Sequence, residues 1–334
     1  MIHRLSARSA SSAMRLGAIL AASALAGALL AGCSQKSSSS SKPLIAFVTN
    51  NASDYWNLAH GGVEKAQSEL QNVNVQFIEP GDGTAATQTQ DVNNLLTEGA
   101  KAIAISPVDP TNQTPWLNKV AASVPVITQD SDAPNSKRVC YVGSDNHAAG
   151  LLCGGLIKKA LGPKGGKIML FVGDASAQNA HDRIQGVEDA LKGSNVQVLG
   201  VLTDNADHAM AKQNAANAMT AHPNLAAEVG IWSYNGPAIA SAVEDAHAQG
   251  KIKVICFDQE PGTITGIENG VIYGTVVQNP YQIGYQATKL MAALVHGDSS
   301  GVPASHTIYI PVSTVTSVNI KAYAATLKSE EASS

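Results

Sequence analysis

From residue 42 onward the chain alternates short, nearly unbroken apolar runs with longer amphipathic stretches. The runs fall at residues 44–49, 101–106, 124–128, 167–173, 197–203, 229–233, 252–258 and 271–278. They are rich in Val, Ile and Leu and do not alternate apolar with polar. That pattern belongs to strands covered on both faces, as in a parallel sheet. Between the runs, apolar positions return every three or four residues, at Tyr55, Leu58, Val63, Ala66 and Leu70, and again at Ile283, Ala287, Leu290 and Leu294. This is the period of a helix with one buried face. Strand–helix alternation over about 290 residues is too long for one compact core. It predicts an α/β protein of two doubly wound lobes with parallel sheets.

The first 32 residues do not share this rhythm. His3, Arg4, Arg8 and Arg15 precede an Ala/Leu-rich run over residues 16–31. Charge followed by an apolar segment reads as an export signal, and the run is shorter than the roughly 20 residues of a comfortable membrane span. It ends in Leu30-Ala31-Gly32-Cys33, which resembles the lipobox of bacterial lipoproteins. The resemblance implies cleavage before Cys33 and lipid attachment to it. Residues 34–41, Ser-Gln-Lys-Ser-Ser-Ser-Ser-Ser, follow at once as a flexible leash. The expected order is a signal at 1–32, a tether at 33–42 and then the folded part.

Charge narrows the function. Removing residues 1–32 takes away three arginines and no acid, leaving 19 basic against 26 acidic residues. Only Arg138 and Arg183 remain as arginines. A nucleic-acid binder needs clustered Lys and Arg to displace phosphate counterions, so no nucleic-acid partner is expected. Cys140, Cys153 and Cys256 lack metal-ligand spacing and read as small buried hydrophobes, with a Cys140–Cys153 disulfide as the alternative. The nine histidines form no metal-type cluster and no Gly-x-Ser-x-Gly elbow is present. No catalytic residue, metal or cofactor is expected.

Open α/β sheets bind ligands at the carboxyl ends of their strands, and two facing lobes make a cleft there. The polar residues just past strand ends are therefore the candidates. Asn50, Asn51, Tyr55 and Trp56 follow the first run, in a chain with only 15 aromatic residues. Rings stack on the C–H faces of sugars and amides bond their hydroxyls; one of the two aromatics is expected in the core and the other in the cleft. Gln129-Asp130-Ser131-Asp132 follows the run at 124–128, and a carboxylate there can accept from two neighbouring hydroxyls. Asp258 and Gln278 close two later runs, where an acid is costly unless bonded. Arg183 opens a helical stretch after a strand and offers two parallel donors.

Taken in order, these segments resemble the periplasmic sugar-binding proteins typified by the ribose-binding protein. Pro125 to Asp130 is similar to the family's segment ending in a sugar-binding Asp. Gly143-Ser144-Asp145-Asn146 resembles its crossing into the second lobe, and Arg183 with Gly186 its arginine helix. Tyr234-Asn235-Gly236 stands where the family places a ligand-binding amide, Phe257-Asp258 matches its second-lobe Asp, and residues 277–284 are similar to its return crossing through Gln278. The resemblance implies a first lobe of 43–144 plus 279–305, a second of 145–278 plus 306–320, and three hinge crossings, the last near residues 305–310. It departs at Ser131, where the ribose-binding type has an Arg, and at Ala206, where it has a stacking aromatic that Trp232 or Tyr234 would have to replace.

These readings converge on a monomeric receptor that takes a small neutral sugar and delivers it to the membrane permease of an ABC importer, anchored to the membrane by its lipid. The alternative is a receptor that presents a sugar or autoinducer-type signal to a sensor kinase or chemoreceptor. A secreted enzyme and a DNA-binding repressor are disfavoured by the residues above.

Overall fold

The computed structural model describes residues 42–331; the expected signal segment, Cys33 and residues 34–41 lie outside them. Strands β1 (Leu44–Val48), β2 (Asn74–Ile78), β3 (Ala102–Ile105), β4 (Val126–Gln129) and β5 (Cys140–Gly143) build one sheet. Strands β6 (Gly166–Val172), β7 (Val196–Thr203), β8 (Leu225–Gly230), β9 (Lys253–Phe257) and β10 (Ile272–Val277) build a second. Two late strands, β11 (Thr307–Tyr309) and β12 (Ser313–Thr316), complete the first and the second sheet respectively.

The two sheets repeat one order, β11-β5-β4-β3-β1-β2 and β12-β10-β9-β8-β6-β7. All pairs of the first sheet are parallel; in the second only β12 runs antiparallel, against β10. The continuous apolar runs are explained by burial on both faces. Ile45 and Phe47 face one core while Ala46 and Val48 face another, and Ile168 and Leu170 are divided from Met169 and Phe171 in the same way.

Among the described residues ten α-helices cover these faces: α1 (Asp54–Leu70), α2 (Ala85–Thr97), α3 (Pro110–Ala121), α4 (Asn146–Leu161), α5 (Gln178–Leu191), α6 (His208–Ala221), α7 (Asn235–Asp245), α8 (Pro261–Glu268), α9 (Pro280–Val295) and α10 (Ile320–Glu331). Helix α9 packs on α1 and on the first sheet, whereas α4 packs on α5 and the second. Glycines make both helix pairs close. A Cβ on Gly62 would stand 1.9 Å from the Tyr281 carbonyl oxygen, and Cβ atoms on Gly150 and Gly186 would stand 2.2 Å from the carbonyl oxygens of Arg183 and His147. Any side chain there would push the helices apart.

The chain passes between the lobes three times. Asp145 follows β5 and caps α4 by accepting from the Ala148 N–H, and Asn279 follows β10 and caps α9 by accepting from the Gln282 N–H. A residue leaving one sheet thus starts a helix of the other. The third passage lies at the far end of the expected 305–310 stretch, a few residues past the 305/306 lobe boundary. Thr307–Tyr309 pairs with Tyr141–Gly143 of the first sheet, so the chain crosses only after residue 309. Three residues of ladder hold the segment on the first lobe. The strand expected at 229–233 also lies earlier, at Leu225–Gly230, which leaves Trp232 and Tyr234 in the turn beyond it. Cys140, Cys153 and Cys256 are buried and free, so the disulfide alternative does not hold.

Candidate functional site

The ends of β4 and β9 carry one local device. Asp130 follows β4 with φ 58° and Asp258 follows β9 with φ 66°. Left-handed backbone is uncommon for a residue with a side chain and persists only where the surroundings hold it. Here they do. The Asp130 N–H donates to the Val142 carbonyl of β5 and the Asp258 N–H to the Val276 carbonyl of β10. The Tyr141 hydroxyl then donates to the Asp130 carbonyl and the Thr275 hydroxyl to the Asp258 carbonyl, each at 2.8 Å. Both turns place a carboxylate on the cleft.

Between the lobes lies a narrow polar cavity of about 30 Å³, well below the usual size of an open small-molecule site. Asn50, Asn51, Tyr55, Trp56 and Asp130 wall it from the first lobe, and Arg183, Tyr234, Asp258 and Gln278 from the second. Nine of the ten sequence candidates are thereby brought together. Asn235 is the exception. Its amide donates to Asp204 Oδ2 at 2.9 Å and its Oδ1 accepts from the Trp232 N–H, so it braces the turn from behind. Asp204, in the turn after β7, also accepts from the Tyr234 hydroxyl.

Asp130 is 4 % exposed and heavily bonded. Tyr55 donates to Oδ1 at 3.0 Å; Ser106 and Asn179 donate to Oδ2 at 3.1 and 3.0 Å. Asn179 belongs to the second lobe, so this last bond spans the cleft. Burial raises the Asp130 carboxyl above its ordinary range, against the pull of Arg183 and of its three donors. Burial likewise keeps the Tyr55 hydroxyl protonated as a donor.

Asp258 is 3 % exposed. Gln278 donates to Oδ1 at 2.9 Å, with its own Oε1 accepting from Ser144 at 2.8 Å. Arg183 Nη1 stands 3.8 Å from Oδ2. Burial pushes the Asp258 carboxyl up to about 6, with Arg183 and Gln278 opposing. Arg183 is 1 % exposed and lies over the Phe257 ring at 4.6 Å. Nε donates to Asn146 at 2.9 Å and Nη1 to the Ile231 carbonyl at 3.0 Å, while Nη2 has no partner. Asn51 Oδ1, on the opposite wall, has none either. Buried polar atoms are nearly always bonded, so each unpaired one asks for a reason.

The two aromatics do not divide between core and cleft as expected. Both belong to the first-lobe core and both reach the cavity: Trp56 meets Phe47 edge-on at 6.2 Å, and Tyr55 meets Trp56 edge-on at 4.9 Å. Four more residues line the cavity: Ser53, Asn179, Trp232 and Ser233. Asn179 was legible in principle, as a polar residue in the turn of α5 that carries Arg183. Both rings that could stand in for the one missing at Ala206, Trp232 and Tyr234, line the cavity. Trp232 packs so tightly that a Cβ on Gly173 would stand 2.1 Å from it, and its Nε1 donates to Asn179 at 3.3 Å. Ser131 is buried behind the wall, and Asp132 turns away to Arg138, with Nη2 donating to Oδ2 at 2.7 Å. Among the described residues no group of His, Cys, Asp and Glu could hold a metal ion.

The profile of the periplasmic binding protein domain matches residues 45–299. The ribose import binding protein RbsB of Salmonella typhimurium is 27 % identical over 218 residues, 64 % of this chain and 72 % of that protein. The D-allose-binding periplasmic protein of Escherichia coli is 27 % identical over 257 residues, 74 % and 81 % of the two chains. Among solved structures, a solute-binding protein of an ABC transporter from Burkholderia graminis, in complex with D-arabinose, superposes with a TM-score of 0.78 at 28 % identity, covering 84 % of this chain and 97 % of the other. The glucose-galactose binding protein GanP of Geobacillus stearothermophilus gives 0.78 at 27 %, covering 84 % and 99 %. With paired parallel sheets, a cleft between their carboxyl ends and a profile matched over most of its length, the chain belongs to the periplasmic binding protein family.

Proposed function

We propose that this protein captures a neutral monosaccharide between its lobes and delivers it to the permease of an ABC-type sugar importer. One observation carries the reading: polar side chains from both lobes converge on a small cavity, and Arg183 Nη2 and Asn51 Oδ1 stand there unpaired on opposite walls. A sugar's hydroxyls can accept from the guanidinium, donate to the amide oxygen and donate to the carboxylates. Trp56 and Trp232 offer rings to its C–H faces. Two acids against one guanidinium suit a neutral ligand better than an anion. Names among the relatives and solved structures, with ribose, allose, arabinose and fucose as ligands, support a sugar without choosing one. As a member of a family of solute carriers the protein is not an enzyme. A ligand that binds only the folded state raises the unfolding midpoint by mass action. A thermal-shift panel of neutral pentoses and hexoses should therefore contain at least one that raises it; no shift with any of them would count against sugar capture.

The finer reading is that the receptor is exported by its first 32 residues and held on a bacterial membrane surface through lipid on Cys33. The lipobox-like Leu30-Ala31-Gly32-Cys33 and the serine leash behind it support this. Metabolic labelling with a fatty-acid analogue should mark the parent chain and leave Cys33→Ala unmarked; equal label in both would refute the anchor.

A further inference from the structure

The sugar cavity has an unexplained neighbour. A groove of about 600 Å³ adjoins it, and Tyr55, Ser233 and Asp258 are walls common to both spaces. The groove's own lining is of a different kind. Leu58 comes from α1 of the first lobe, Pro261 and Ile264 from α8, and Ala324 and Leu327 from α10. Helix α10 thus forms one side of a groove whose exposed wall is mostly apolar. Gln259 follows Asp258 in the chain and lines the groove but not the cavity. It is 6 % exposed, and its Oε1 has no hydrogen-bond partner.

Each part constrains what can sit there. A second sugar ring carries hydroxyls around its whole rim, and the part of the wall built from Leu58, Pro261, Ile264, Ala324 and Leu327 cannot satisfy them. A large anion would meet Asp54 and Glu260 as well as Lys328. An apolar group gains from leaving water against Leu58, Ile264 and Leu327. We propose that the groove holds an apolar substituent carried by the bound sugar, so that the ligand class includes small glycosides with an apolar aglycone. This rests on sugar capture in the adjoining cavity and assigns the groove as a second subsite of that same site.

Calorimetric titration tests it with matched probes: free D-galactose, D-fucose, L-arabinose, D-xylose and D-ribose, and the methyl and phenyl glycosides of each in both anomers. For a sugar that binds, the phenyl glycoside of one anomer should bind about tenfold tighter than the methyl glycoside, or better. Leu327→Asp and Ile264→Asp should each abolish that advantage while leaving the free sugar's affinity within about twofold, since neither residue lines the sugar cavity. Using two positions on separate helices guards against a folding defect in either. If free sugars bind but neither anomer gains from the phenyl group, the groove assignment is wrong and sugar capture stands. A phenyl advantage that survives both substitutions overturns the groove assignment as well. If no free sugar and no glycoside binds, both readings fall together.

Discussion

Asp130 and Asp258 occupy equivalent turns of the two lobes, with the same left-handed backbone, the same N–H bond to the neighbouring strand and a side-chain hydroxyl on each carbonyl, yet their carboxylates are employed differently. A carboxylate can accept about four hydrogen bonds. Asp130 accepts three from Tyr55, Ser106 and Asn179, one of them across the cleft. Asp258 accepts from Gln278 and keeps Arg183 at 3.8 Å, outside direct hydrogen-bond distance. One fold device has thus been put to two uses. Asp130 holds its lobe and latches the cleft, and Asp258 is the acid with room for a hydroxyl.

The largest expected effect follows from that difference. Asp258→Asn should weaken sugar binding by about 2 kcal/mol, roughly thirtyfold in Kd, because a charged hydrogen bond is lost. Asp130→Asn should act more on stability, by about 1–3 kcal/mol in chemical denaturation, because one carboxylate oxygen becomes an NH2 and either Tyr55 or the Ser106–Asn179 pair loses its acceptor. Calorimetry beside urea titration of both variants decides it; the reverse ranking would break the comparison. Acidification sharpens it. The folded-state value of Asp258 lies at about 6, above the ordinary 3.8, so the folded protein takes up this proton before the unfolded chain does. Affinity should fall as pH drops through 6, while the ligand-free protein loses no stability on this group's account between 6 and 4. In Asp258→Asn the fall over that interval should be smaller, with Asp130 left as the carboxyl on the cavity.

The sheets offer a second, smaller contrast. β3 of the first lobe is Ala-Ile-Ala-Ile, entirely buried and apolar. Its counterpart β8 carries Glu228, fully buried with neither carboxylate oxygen bonded. Burial alone raises it from 4.5 to about 8. The unfolded chain releases this proton near 4.5 and the folded chain only near 8, so stability contributed by the protonated form is lost as pH rises through that window. Glu228→Met should flatten this slope and stabilise the protein by at least about 1 kcal/mol above pH 8. Thermal melts across pH read it, and parallel curves for parent and variant would show that Glu228 is solvated or bonded after all.

Legibility in the sequence followed burial. Strands covered on both faces announced themselves as apolar runs, which is why β1, β3, β6 and β9 were readable and the lobes with them. β2, Asn-Val-Gln-Phe-Ile, is a half-exposed edge strand, and β11 has only three residues; neither makes a continuous run. Missing β11 displaced the lobe boundary at the third crossing. At the site, residues just past strand ends were found because topology aims them at the cleft. Asn235 was misplaced because its partner Asp204 sits in a distant turn, and the long-range pairing has no local signature. Ser53 and Ser233 carry no charge or ring that would mark them.

The central claim is that both lobes contribute to one site for a neutral sugar. Calorimetric titration of the protein with neutral monosaccharides, and with a uronic acid and a sugar phosphate of the same ring, tests it most directly. The account predicts a neutral sugar bound at about micromolar Kd or tighter, equivalent to about 8 kcal/mol or more, and charged counterparts bound far more weakly. No binding by any neutral sugar, or a charged counterpart bound as tightly as the neutral one, would contradict it.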